Sequence, residues 1–230
     1  MENKFDLQLT DTDLNAVTLG DSNYLNNKGA DLYRKENYRA AVEYYRLAAS
    51  MGNLQAVSNL GYCYLYGRDI ERNLSFAIAY LKNAANRKNV DAAYKLGDIY
   101  GSDKWGIKDP EMSIYYYRMA VSYLTDEQES WDYLEYDDNL QQYPSLCFAL
   151  GREHSRGGNL YTDIEVSYKF LMHAKLGYEK ALANGDIFYE ESYNAVVELM
   201  KDEQYDSVRD KIDRFFKRDP DDGEDGGIGL

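Results

Sequence analysis

His154, His173, Cys63 and Cys147 are the only histidines and cysteines in the sequence, so metal and thiol chemistry is the first possibility to weigh. A zinc centre needs four clustered ligands, and these four residues share no ligand spacing. There is no glycine-rich phosphate loop ending in Lys and Ser/Thr, no two-histidine zinc helix and no paired cysteine motif. Asp219, Asp221 and Gly223 imitate the start of a calcium loop, but the twelfth position is Leu230 instead of a bidentate Glu. No spacing singles out a carboxylate pair for acid–base work. The expectation is a non-enzymatic chain without catalytic residues, cofactor or metal. Two cysteines are too few for a disulfide scaffold and suit a reducing cytoplasm. Asn73-Leu74-Ser75 has the letters of a glycosylation site. The N-terminus lacks the basic start and apolar stretch of a secretory signal, so Asn73 is read as a helix cap instead. No run of 18 apolar residues is present, which excludes a membrane helix.

Recognition is the remaining chemistry, and it depends on the elements that hold the side chains. Among 230 residues only 3 are proline while 44% are hydrophobic, which favours helices over turn-rich sheets. An internal pattern then recurs. Ala41, Tyr44, Tyr45 and Ala48 are matched 36 residues on by Ala77, Tyr80, Leu81 and Ala84, and again by Ser113, Tyr116, Tyr117 and Ala120. A fourth copy, Ser167, Phe170, Leu171 and Ala174, follows after 54 residues. Small, large, large, small at i, i+3, i+4 and i+7 is one face of a helix, here helix B. Asn37, Asn73, Asp109 and Asp163 stand ahead of each run as N-caps, and Pro110 suits a first helical position. Leu60-Gly61, Leu96-Gly97 and Leu150-Gly151 mark a preceding helix A, with Gly29 at the equivalent place in the first copy. Glycine inside a helix costs about 1 kcal/mol, so its recurrence predicts a contact that admits no side chain, where A crosses B. Tyr64, Tyr100 and His154 share one helix-A position and should be packed. His173 is read as a surface residue. Hairpins of about 36 residues cannot bury their own apolar faces; stacking them predicts an all-α, right-handed α-α superhelix.

This register resembles the Sel-one-like repeats, a subfamily of the tetratricopeptide repeats. The likeness is carried by Ala56, Leu60-Gly61, Tyr64, Gly67, Ile70, Asn73 and Ala84-Ala85, and by Ala40–Asn53 as a second helix with its exit turn. It covers roughly residues 22–181. The third copy departs from it with Asp103 in place of Gly67 and with Trp105-Gly106-Ile107 in its loop, and Lys88 replaces the turn glycine seen at Gly52. The resemblance implies a solenoid for protein–protein contact, commonly an adaptor or scaffold, with a concave wall lined by helix A. The implied groove positions are Asn23, Asn26 and Tyr33 in the first repeat, Gln55, Ser58 and Tyr62 in the second, Tyr94 and Asp98 in the third, and Phe148 and Arg152 in the fourth. Amides, aromatics and one arginine suit an extended peptide.

Charge is unevenly placed. The formal net charge is -14, yet residues 125–142 hold seven carboxylates and no base, and residues 219–227 hold five more. The repeat body is therefore near neutral. A negative chain repels phosphate backbones, arguing against direct nucleic-acid binding. The insert interleaves Glu129, Trp131, Asp132, Tyr133, Glu135 and Tyr136, as a packed Ω-type loop or extended helix, or as an acidic arm for a basic partner. Residues 1–20 are expected to be loose with one turn of helix, 21–218 to form one repeat domain with a C-terminal cap, and 219–230 to be a disordered acidic tail. Residues 178–184 and 188–201 are expected to form a further hairpin, and Asp206 to cap a last helix carrying Val208, Ile212, Phe215 and Phe216. The leading function is thus a cytoplasmic scaffold that binds a protein or peptide, monomeric or weakly dimeric. The alternative is an acidic inhibitor or immunity-type protein that neutralises a basic partner through insert and tail.

Overall fold

The computed structural model describes residues 8–124, 138–157 and 160–216. Among them there are helices and turns and no strand. The helices gather into two compact units, residues 1–128 and 129–230, where the sequence suggested a single repeat domain. The first unit contains α1 (Asp11–Leu19), α2 (Ser22–Arg34), α3 (Tyr38–Ser50), α4 (Leu54–Tyr66), α5 (Leu74–Ala85), α6 (Val90–Gly101) and α7 (Pro110–Ser122). The second contains α8 (Pro144–Arg156), α9 (Ile164–Ala183), α10 (Glu190–Leu199) and α11 (Asp206–Phe216).

Helices α2–α3, α4–α5, α6–α7 and α8–α9 are the A–B hairpins. Side-chain caps start every B helix: the carboxamide or carboxylate oxygen of Asn37, Asn73, Asp109 and Asp163 accepts from the backbone N–H three residues on, removing one orphan donor. The glycine column does what its recurrence predicts. A Cβ added at Gly29, Gly61, Gly97 or Gly151 would lie 2.7–2.8 Å from Tyr45, Leu81, Tyr117 or Leu171, the second large residue of each B pattern. The first large residue stacks on the helix-A aromatic instead: Tyr80 on Tyr64 at 5.4 Å, Tyr116 on Tyr100 at 5.7 Å and Phe170 on His154 at 5.8 Å between centroids. Where the small residue is serine, its hydroxyl also donates to the glycine carbonyl: Ser113 to Gly97 at 2.9 Å and Ser167 to Gly151 at 2.7 Å. The fourth hairpin thus repeats the crossing of the first three. Cys63 and Cys147 are buried and free, and burial pushes the Cys63 thiol up to about 12, so both act as core residues.

Four expectations change. Residues 11–19 form a full helix, not loose chain. Thr10 and Asp13 make a reciprocal capping box, and the fully buried Asp13 carboxylate receives Lys28 at 2.6 Å and Tyr44 at 2.8 Å. Helix α9 runs unbroken to Ala183, so residues 178–184 extend a B helix instead of starting a hairpin. Four residues after the last small residue, the first copies turn at Gly52 and Lys88, with positive φ; here that place is taken by Tyr178, which is buried and paired with Ser145 at 3.1 Å. Helix α10 then packs back on α9. His173 is buried and edge-on to Phe216 at 4.9 Å, because α11 covers the face left open in the other B helices. Finally, Phe215 of α11 is half exposed, while Ile212 is the residue it buries.

Lys88 holds φ 69° where its counterpart Gly52 has φ 90°. A side chain in this region costs about 1 kcal/mol. Lys88→Gly is expected to stabilise the first unit by about 0.5–1 kcal/mol, read as a rise in thermal midpoint.

Candidate functional site

Helices α2, α4 and α6 are the A helices of the first unit, and polar contacts from each to the next form a ladder of rungs. Its first rung begins with the helix caps. The Asn53 oxygen caps Ala56 N–H at 2.9 Å while its Nδ2 donates to Asn23 at 2.9 Å. One repeat later Asn89 caps Ala92 at 2.8 Å and donates to Gln55 at 2.8 Å. The cap of each repeat therefore also grips the second residue of the helix before it. Asn59 donates to Asn26 at 3.0 Å, and Gln55 to the Asp91 carboxylate at 3.2 Å. The last rung is aromatic and charged. Tyr62 donates to Tyr94 at 3.1 Å, and the Lys95 ammonium lies 5.3 Å and 5.2 Å from their ring centroids. Asp98 completes it, accepting from Lys95 at 3.1 Å and from Tyr117 at 2.8 Å.

Protonation states follow from burial and pairing. Burial raises the Tyr62 and Tyr94 hydroxyls above their ordinary range, so both stay neutral donors. Burial alone would lower Lys95, but Tyr94 and Asp98 raise it further, and it stays charged. Burial raises Asp91, opposed by Gln55 and Lys95. The face offers neutral amides and phenols together with the Asp91 carboxylate and the Lys95–Asp98 ion pair. Among the described residues no group of three or more His, Cys, Asp or Glu could hold a metal ion, and no helix is long and apolar enough to cross a membrane.

Asn23, Asn26, Gln55, Tyr62, Tyr94 and Asp98 thus meet on one face. Ser58 does not reach it: its short side chain, one turn before Tyr62, is fully buried. Tyr33 also stands apart, packing against the core of the α2–α3 hairpin and edge-on to Tyr38 at 5.0 Å. Phe148 and Arg152 belong to the second unit, where the guanidinium lies 4.9 Å from the ring centroid. Glu129, Trp131, Asp132, Tyr133, Glu135 and Tyr136 of the acidic insert lie outside the described residues, as does the acidic tail. Sequence reasoning missed Asn53, Asn59, Asn89, Asp91 and Lys95. The available signal was the pair Asn53 and Asn89, one repeat apart, whose amides have a donor left over after capping.

Comparison with known proteins agrees with this architecture. The Sel1 repeat family model matches residues 19–53, 54–89 and 90–122, the three hairpins of the first unit. The chain is similar to the crystal structure of a Sel1 repeat protein from Oxalobacter formigenes, with 15% identity, 91% of each chain covered and a TM-score of 0.50. A second match is c5321, a protective antigen of uropathogenic Escherichia coli with an SLR fold. It shows 18% identity and a TM-score of 0.43 over 77% of this chain and 43% of that one. No curated protein is significantly similar in sequence.

Proposed function

We propose that this chain, which belongs to the Sel1 repeat proteins through its three tandem repeats, is a non-enzymatic cytoplasmic scaffold. In this reading it holds a protein or an extended peptide on the α2–α4–α6 face. Sel1 repeat proteins generally mediate protein–protein interactions. The observation that supports this face is the ladder itself. Side chains with rotamers already fixed by neighbours lose little further entropy on binding. Asn23 is exposed and Gln55 and Tyr62 are half-buried, so their remaining lone pairs and ring faces are open to a peptide backbone. Tyrosine supplies much contact area with few rotatable bonds.

The test is partner capture from an extract of the native host with the wild-type chain and a Gln55→Ala/Tyr62→Ala variant. Capture should fall about tenfold while the far-ultraviolet helical signal is retained. Undiminished capture removes the face from the account. Arg152→Ala, in the other unit, serves as the separate probe of the Phe148–Arg152 pair.

A further inference from the structure

The loops that join A to B helices carry a second arrangement, which adjoins the ladder at Tyr66 of α4, 6.3 Å from Tyr62 between ring centroids. Trp105 ends the 3-10 turn Asp103–Trp105 that follows α6, and it is half-buried. Tyr66, the last residue of α4, meets it edge-on at 6.2 Å and is 42% exposed. Two cations approach the same indole: the Arg72 guanidinium at 5.1 Å and the Lys104 ammonium at 4.9 Å from the ring centroid. Both cations are exposed, and neither has a carboxylate partner among the described residues. The nearby Asp103 is engaged by Lys108 at 2.9 Å, and Asp69 and Glu71, in the loop of Arg72, form no ion pair with either.

We propose that Tyr66, Arg72, Lys104 and Trp105 form a docking surface for an acidic peptide segment. Arg72 and Lys104 are held near the indole by cation–π attraction, which leaves their N–H donors for incoming carboxylates. The indole and phenol rings give an adjoining apolar or aromatic side chain a flat surface to cover. Trp, Tyr and Arg are the residue types that dominate interface energetics, and here all three converge. The charge balance selects a peptide over a nucleic acid. Two cations can satisfy two carboxylates of an otherwise neutral peptide, whereas a phosphate chain would bring a continuous row of charge toward a protein of net charge -14. Tyr66 adjoins the ladder through Tyr62, but Arg72 and Lys104 take no part in it, so exchanging these two cations separates failure of this surface from failure of the α2–α4–α6 face.

The sequence holds two tryptophans, Trp105 and Trp131, so the full-length Trp131→Phe chain makes Trp105 the sole indole reporter. The probes are a dodecapeptide of neutral polar residues with two glutamates flanking one central phenylalanine, its counterpart with glutamines at those two positions, and a dodecameric oligothymidylate. The acidic peptide should change Trp105 emission saturably and bind at least about tenfold more tightly than the glutamine peptide. Its affinity should drop at least about tenfold in Arg72→Glu/Lys104→Glu, two exposed positions whose exchange leaves the helical signal unchanged. It should also weaken as salt rises from about 50 to about 300 mM. No saturable change, equal binding by the charge-reversed variant, or tighter binding of the oligonucleotide than of the acidic peptide would overturn the proposal.

Discussion

Asp13→Asn is expected to release α1 from the first unit and to destabilise it by about 3 kcal/mol. The carboxylate is fully buried and serves four donors: the Thr10 N–H and hydroxyl at 2.8 Å each, the Lys28 ammonium and the Tyr44 hydroxyl. Breaking a buried pair from one side costs about 3–5 kcal/mol. Lys28 keeps some contact with water, with 28% of its side chain exposed, which places the cost at the low end. The amide also loses the charge that completes the cap. The pH dependence has a definite sign. Burial alone would raise the Asp13 carboxyl, but Lys28, Thr10 and Tyr44 lower it more, and it lies far below the usual carboxylate range. A group depressed in the folded state stabilises above its unfolded value, about 3.9, and that contribution fades as pH falls below it. The gap between wild type and Asp13→Asn should therefore be full at about pH 7 and shrink below about pH 4. Hydrogen exchange of the α1 amides reads this locally, without assuming that the two units unfold together. A gap that ignores pH would break the link between the carboxylate and α1.

The second large effect is expected at the helix crossing. Gly97→Ala places a methyl 2.7–2.8 Å from ring carbons of Tyr117. That ring is buried to 1% exposure and tied to Asp98 through its hydroxyl, so it can yield only by giving up that bond. Overpacking of this kind costs about 1–3 kcal/mol, and loss of the Tyr117–Asp98 bond adds about 1 kcal/mol. The same substitution gains about 1 kcal/mol of helix propensity, for a net loss of about 2 kcal/mol. A double-mutant cycle isolates the contact. In a Tyr117→Ala background the clash is gone, and Gly97→Ala should become neutral or stabilising. Equal destabilisation in both backgrounds would mean that glycine recurs for some other reason.

These two sites mark what the sequence could and could not reveal. The glycine crossing was legible because it is periodic: Leu-Gly in helix A and the small-large-large-small run in helix B recur in register, and a close approach is the physical reason to keep glycine in a helix. The caps were legible for the same reason. The Asp13 anchor was not, since residues 1–20 are polar and weakly patterned and the partners Lys28 and Tyr44 are 15 and 31 residues away. His173 was misplaced because its repeat position is a surface one until α11 covers it. Tyr178 continues α9 where a turn was expected, because a buried aromatic stands at the position that elsewhere adopts a positive φ.

The candidate face was half legible. Asn23, Asn26, Gln55, Tyr62, Tyr94 and Asp98 were implied by the family resemblance, as was Ser58, which lacks the length to reach solvent. The links between them were invisible. Asn53–Asn23, Asn59–Asn26 and Asn89–Gln55 span 30, 33 and 34 residues, and such bonds exist only once hairpins stack. Arg72, Lys104 and Trp105 were hidden for a related reason. Trp105 registered only as a departure from the repeat pattern, and its cations come from two different loops.

Site-specific photo-crosslinking in the native host tests the face most directly, because it traps whatever protein lies against the chosen side chain. A crosslinking side chain at Asn23 or Gln55 probes the ladder; one at Phe76 or Tyr115, exposed on α5 and α7, probes the opposite members of the hairpins. The account predicts partner adducts from Asn23 and Gln55, and little or none from Phe76 and Tyr115. Adducts confined to Phe76 and Tyr115 would contradict it.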